Sequence, residues 1–405
     1  MLRRLLSYGE RLRLSSLLCD IRDRRVRPRI AASVVVRSLL VLFLGRLGSL
    51  HALEQTRRST FWCRWLGSPL PSADTLGRVA CLLDPKQLRD IVWQIYTRLK
   101  RNKALGATSH GLMALVLDGH ESHASYKRHC AGCLERPVNT RWGWRRQYYH
   151  RNVTAMLLSR PFPLLLDAEP LRPGEDEIEA ARRLLERLLS SYPRAFDVVL
   201  GDALYTDPKI YELGLAHGKD ILTVLKRNTP DLLEDAQSLF NVSTPRIETS
   251  ARLERRSWDA GGFTSWLELG RTVRVVRSQE TRLVHRQLDR ADETLLSQWL
   301  WVTTLSPQRA ITQAVVQLGH ARWEIENRGF NETVNRWHVD HVYRHEATAI
   351  LCFYLLAMIA YNLFHAFYHR NLKPHRRKDL SYLHLARSLA CDLYRKLPAE
   401  PLHPP

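Results

Sequence analysis

The sequence lacks any stretch of about 20 apolar residues, the length a membrane-spanning helix needs. Val34 to Leu47 is broken by Arg37 and Arg46, and Thr348 to Tyr361 supplies fourteen uncharged residues before Asn362 and His365. Both read as buried helices, and no membrane association is expected. The first thirty residues are Arg-rich without a continuous apolar stretch or a small-residue cleavage site, so no signal peptide is expected; an amphipathic transit segment is the alternative reading. No internal repeat and no low-complexity tract is present. Cysteine is scarce and odd in number, seven in 405 residues, which points to a reduced cytosolic compartment rather than a disulfide framework. Most of all the chain is short of acid: 41 Asp and Glu against 61 Lys and Arg leave a formal charge of +20. That excludes an acidic or neutral surface and favours a polyanionic partner, nucleic acid before membrane.

What is present is a globular composition, 45% hydrophobic with 11 Trp and 14 Tyr. The positive charge is concentrated at the ends: residues 1–107 carry a net +14 and residues 365–405 a net +5, leaving +1 between them. Basic ends around a neutral middle suit a chain that grips a phosphate backbone while a central domain uses its carboxylates.

Residues 1–105 show helix-period apolar spacing. Asp74 and Asp84-Pro85 act as N-cap signals, predicting helices over 74–82 and 85–101. A helical bundle is preferred to a helix-turn-helix. The texture changes after a linker at 102–110. Strands are predicted at 111–118, 147–158 and 162–171, the last two separated by an Arg160-Pro161 turn. A helix follows at 175–191 with Leu184, Leu185, Leu188 and Leu189 on one face, then a strand at 196–202, a helix at 207–217 and a strand at 221–226. The order β-β-β-α-β-α-β specifies an α/β fold (α+β overall), a mixed five-stranded sheet with flanking helices in the ribonuclease-H-like arrangement. The expected organisation is a helical basic domain at 1–107, a core at 108–229 and 306–365, a β-rich insertion at 230–305 and a basic helical tail at 366–405.

Asp118 and Asp202 each fall just past the end of a predicted central strand, where α/β sheets present functional side chains. One such Asp is often a turn former. Two on adjacent strands make a close carboxylate pair, costly in a low-dielectric cleft unless a divalent cation neutralises it. The segment ARWEIENRGF offers a third acid, Glu324 or Glu326, which point opposite ways on a helix. With Trp323, Phe330, Val334 and Trp337 tracing the buried stripe, Glu326 flanks that stripe beside Arg322, and Glu324 is a solvated face charge.

In LDGHE, GDALY and RWEIEN the chain resembles the DDE transposases of insertion sequences, of the insertion-sequence-four type, over about residues 111–365. The separations of 84 positions from Asp118 to Asp202 and 124 from Asp202 to Glu326 fit that layout. Of the signature helix Y-x2-R-x3-E-x6-K, Arg322 and Glu326 are retained, while Gly319 and Thr333 stand at the Tyr and Lys positions. The resemblance implies DNA strand cleavage and strand transfer at terminal inverted repeats and target DNA. The implied cofactors are two Mg²⁺ (or Mn²⁺) ions held by Asp118, Asp202 and Glu326. It further implies an N-terminal domain that binds element ends, a homodimer in the synaptic complex, and a cytoplasmic, nucleoid-associated location in a bacterium. A transposase-derived DNA-binding protein without cleavage is the alternative.

Arg322, Arg336 and Asn327 on that helix are candidate DNA contacts. So are Arg145 and Arg146, which interleave with Trp142 and Trp144 in RWGWRRQYYH. His120, His123, Cys130 and Cys133 have spacing that suits a structural Zn²⁺, against two free thiols in a turn; His150 reads as a packed core histidine. The segment HRNLKPHRRKDL (369–380) reads as a solvated phosphate-binding tail.

Overall fold

The computed structural model describes residues 1–286 and 291–394. Residues 287–290 of the expected insertion and 395–405 of the expected tail lie outside the described residues.

Seven helices open the chain: α1 (Leu2–Arg11), α2 (Leu14–Cys19), α3 (Ala32–Leu44), α4 (Leu50–Gln55), α5 (Thr60–Leu66), α6 (Ala73–Ala80) and α7 (Pro85–Arg101). Asp84 caps α7 by accepting from the Lys86 N–H at 2.9 Å, with Pro85 in the first turn, as expected. The cap of α6 is Ser72, not Asp74: Ser72 Oγ accepts the Thr75 N–H at 3.3 Å, and Asp74 lies in the first turn paired with Arg78.

The central elements follow in the expected order with one addition. They are β1 (Ala114–Ser125), β2 (Leu134–Thr140), β3 (Gly143–Leu158), β4 (Leu164–Pro170), α8 (Glu177–Ser191), β5 (Val198–Gly201), α9 (Pro208–Ala216) and β6 (Asp220–Val224). Five strands line up as β4-β3-β1-β5-β6, with β3 antiparallel to β1 and β4, and β1, β5 and β6 parallel. This is the ribonuclease-H-like sheet. The added strand β2 pairs only with the outer half of β3, forming a hairpin that leaves the core.

The insertion contains α10 (Pro230–Val242), β7 (Arg246–Ser250), β8 (Leu253–Phe263), β9 (Val273–Arg286) and β10 (Ala291–Thr303). It is not a separate sheet. The end of β10 pairs antiparallel with β6 through Trp301, Val302 and Thr303, so the expected five-stranded sheet continues to ten strands.

The chain then forms α11 (Thr312–Ala321), a π-helical turn at Ile325–Phe330, α12 (Asn331–Trp337), α13 (Ala347–Asn371), α14 (Pro374–Lys378) and α15 (Tyr382–Tyr394). By length and composition α13 could cross a membrane. Here it is the central post of the protein, packed against α3 and α7 on one side and β4 on the other. Its Asn362 side chain bonds the Leu165 backbone N–H and C=O at 3.0 and 2.7 Å, satisfying a polar group inside the core. One expectation changes: the boundary at 365/366 falls within α13. The basic segment 369–380 is largely exposed apart from Leu372, and after it α15 buries Leu385, Ala386, Leu389 and Leu393 against α1 and α3.

Candidate active site

Val116 of β1 pairs with Leu200 of β5 in parallel register, and the pairing stops there. Two residues further on each strand, Asp118 and Asp202 stand level with one another at the mouth where β5 ends. β1 continues on β3 as far as Ser125, so Asp118 is held on rigid strand, while Asp202 caps a short turn by accepting the Leu204 N–H at 2.9 Å.

Two glycines in the flanking motifs make this mouth possible. A Cβ at Gly119 would collide with the Glu177 carboxylate, and a Cβ at Gly201 would collide with the Tyr205 side chain. Glu177, in the first turn of α8, accepts from the Tyr205 hydroxyl at 2.9 Å and from Arg151 Nε at 2.5 Å. Gly119 of LDGHE thus leaves room for an acid that the Tyr of GDALY holds. Nothing in the sequence singles out Glu177 beyond its place at a helix start.

The third carboxylate arrives from the π turn. Arg322, 7% exposed, reaches Glu326 Oε1 at 3.2 Å and Asp118 Oδ2 at 3.6 Å through the same Nη1, while its guanidinium lies over the Trp323 ring at 4.5 Å. The His120 ring stacks on Phe330 at 4.6 Å, tying β1 to the π turn. Burial pushes the Asp118 carboxyl up to about 7; Arg322 opposes the shift, and Asp202 and Glu326 add to it. Glu324 faces away, paired with Arg328 at 3.3 Å.

The buried stripe of this helix differs from the expected one. Trp323 is 38% exposed, and Val334 is half-buried; Arg322, Ile325, Gly329, Phe330, Glu332, Thr333 and Trp337 face inward. A π turn inserts an extra residue into the helical period, so the phase differs on its two sides. Gly319 and Thr333 also acquire a physical account. The Trp301 ring occupies the space beside Gly319 so closely that even a Cβ would strike it. Trp299, Trp301, His320 and Trp323 pack together there, with Trp299 stacked on Trp301 at 6.4 Å. Thr333 is buried and donates to the Phe330 carbonyl at 3.2 Å.

Asn327 and Arg336 are exposed on the helix. Arg145 and Arg146 lie on the exposed β2–β3 hairpin, Arg146 paired with Glu135 at 3.0 Å and Arg145 over Tyr126 at 5.3 Å. Trp142 and Trp144 at the hairpin tip are about seven-tenths exposed, at 70% and 72%.

The expected zinc set is not assembled. His120 is stacked on Phe330, and His123 Nδ1 meets Ser122 Oγ at 3.1 Å. Instead Cys130 and Cys133 converge with His150 and His345, all four donor atoms within 4.8 Å of one another. His150 is buried, as expected of a core histidine, with its Nε2 turned to both sulfurs, and His345 comes from far along the chain, where no spacing rule would find it.

Residues 111–363, more than half of the chain, match the family model of the Transposase DDE domain. No curated protein matches the chain.

Proposed function

Because the chain belongs to the Transposase DDE domain family, we propose that it is a transposase of the insertion-sequence-four type. Its reaction is metal-dependent cleavage of DNA strands at insertion-sequence ends, followed by transfer of the freed strand to target DNA. One observation carries the reading: carboxylates from three separate elements, β1, the end of β5 and the π turn, come to one mouth, where Arg322 bridges Asp118 and Glu326 and Asp202 adds its charge beside Asp118.

Such a group fits divalent metal. The donors are hard carboxylate oxygens, their negative charge exceeds the local positive charge, and burial, with Asp202 and Glu326 adding to it, raises the Asp118 carboxyl to about 7. Asp118, Asp202 and Glu326 would hold two Mg²⁺ or Mn²⁺ ions, which supply Lewis-acid activation of an attacking oxygen and neutralisation of the leaving one. Arg322 holds Asp118 and Glu326 in a common orientation. The exposed Arg336, Asn327, Arg145 and Arg146 supply contacts to duplex DNA, and the Arg-rich residues 1–107 supply most of the phosphate affinity and recognise the terminal repeats. Two ends brought together call for a homodimer.

The reading without cleavage rests on Gly319 and Thr333. The Trp301 packing offers a reason other than loss of activity for the first of these. The deciding experiment incubates the purified chain with DNA carrying the repeats that flank its gene. Mg²⁺-dependent 3′-hydroxyl ends, absent with EDTA and with Asp118→Asn, support the transposase. Binding without nicking in wild type supports the rival.

A further inference from the structure

Cys130 and Cys133 sit in the connection between β1 and β2, His150 on β3 and His345 between α12 and α13. Three segments, with Cys133 and His345 lying 212 positions apart, thus turn two thiols and two imidazole nitrogens toward one point. Cys133 Sγ lies 3.9 Å from Cys130 Sγ, 3.2 Å from His150 Nε2 and 3.2 Å from His345 Nε2, and Cys130 Sγ lies 3.3 Å from His150 Nε2. A tetrahedral zinc with Zn–S of about 2.3 Å and Zn–N of about 2.0–2.1 Å requires edges of roughly 3.8 Å between sulfurs and roughly 3.6 Å between sulfur and nitrogen. These four of the six edges lie within a few tenths of an ångström of those values, and no two donors are more than 4.8 Å apart. The sulfurs are too far apart for a disulfide, whose bond is about 2.05 Å.

Local structure is that of a knuckle. The Cys133 N–H donates to the Cys130 carbonyl at 3.0 Å, and the Cys130 N–H points at Cys133 Sγ at 3.2 Å, a contact that favours thiolate. A side chain at Gly132 would meet Ala347, so the turn packs directly on the first residue of α13. Cys130 Sγ and two imidazole nitrogens face Cys133 Sγ; one S–H given and one ring N–H taken would satisfy that thiol by itself, so it is the convergence of all four donors that points to a metal.

We propose that Cys130, Cys133, His150 and His345 bind one structural Zn²⁺. Two thiolates with two imidazoles in tetrahedral array are zinc chemistry, and hard Mg²⁺ is a poor match for this donor set. The ion fastens the root of the β2–β3 hairpin to the segment that follows α12. It thereby sets how Trp142, Trp144, Arg145 and Arg146 are presented relative to Glu326. The proposal is independent of the carboxylate reading.

Elemental analysis of the untagged full chain, purified without chelator, tests it. One zinc per chain is expected, falling to a trace in Cys133→Ser and in His345→Ala and staying at one in Asp118→Asn. Zinc that is absent, or present and unchanged in both ligand variants, overturns the proposal. Should those variants aggregate, Co²⁺ reconstitution of the wild-type chain decides. A thiolate-to-cobalt charge-transfer band with intense tetrahedral d–d absorption is expected, and weak octahedral absorption without that band overturns the site.

Discussion

Two groups of acids sit on the same sheet and have opposite fates. On β4, Asp167 pairs with Arg89 at 2.8 Å and Arg187 at 2.6 Å, and Glu169 meets Arg183 at 3.0 Å, Arg187 at 2.9 Å and Arg89 at 3.5 Å. Two carboxylates are matched by three guanidinium groups, and both acids are almost fully buried. At the mouth of β1 and β5, Asp118 and Glu326 share Arg322, and Asp202 adds a third negative charge beside Asp118. An acid on a buried strand is therefore no evidence of a reactive site. The local charge balance is: a compensated cluster is a rivet, and an under-compensated one is a socket for cations.

The largest test replaces one member of each cluster by its neutral isostere. Asp118→Asn or Asp202→Asn should lower the rate of Mg²⁺-dependent strand cleavage at least about a thousandfold, roughly 4 kcal/mol of transition-state stabilisation, with DNA binding retained in a gel-shift assay. Asp167→Asn should leave cleavage per folded molecule unchanged. It should instead cost about 3 kcal/mol of unfolding free energy in a urea titration, because Arg89 and Arg187 lose a buried partner. If Asp118→Asn keeps cleaving, or Asp167→Asn unfolds no more easily than wild type, the comparison breaks.

Added Mg²⁺ should raise the wild-type melting temperature by the equivalent of about 2.7 kcal/mol at a hundredfold excess over its dissociation constant. Asp118→Asn should show little of that gain, and Asp167→Asn all of it.

The smallest effects separate the clusters by sign of pH dependence. Asp118, raised by burial and by its acidic neighbours to about 7, binds more protons folded than unfolded, so the metal-free protein should lose stability as pH rises from about 3.8 toward 7. Saturating Mg²⁺ should flatten that slope. Glu280, a second compensated acid held by Arg255, Arg282 and His320 at 2.9, 2.7 and 2.9 Å, behaves oppositely. Burial alone would raise its pKa, but His320, Arg282 and Arg255 win and bring it down to about 2. Its contribution, on the order of 1 kcal/mol, is complete above the ordinary carboxylate range and should fade as pH falls toward 2. Melting curves of Glu280→Gln against wild type across that range give the check.

The starts of the strands that present Asp118 and Asp202 were legible because Ala114–Leu117 and Val198–Gly201 are apolar and buried; the expected strand end at Asp118 was not, because β1 runs on to Ser125 through mostly half-buried polar residues that carry no apolar signature. β2 was not: its outer residues in LERPVNT alternate between half-buried and exposed on a hairpin outside the core, so it carries no hydrophobic signature. Glu326 could be distinguished from Glu324 by its relation to Arg322, even though the stripe used for the argument changes phase at the π turn. Hydrophobic spacing assumes one helical period throughout, and that assumption fails at that turn. His345 was out of reach for a different reason: ligands contributed across 212 positions meet only through the tertiary fold. Glu177 was hidden because its neighbours, Gly119 and Tyr205, lie in two other motifs.

The fit of Trp301 against Gly319 joins two positions on different elements into one unit of inheritance. Any larger residue at 319 overpacks the helix against the indole, and a smaller residue at 301 alone leaves a void of indole size; each costs roughly 1–5 kcal/mol taken singly. A tyrosine at 319 fits only together with a smaller residue at 301, so volume couples the two positions whatever selection acts on DNA chemistry.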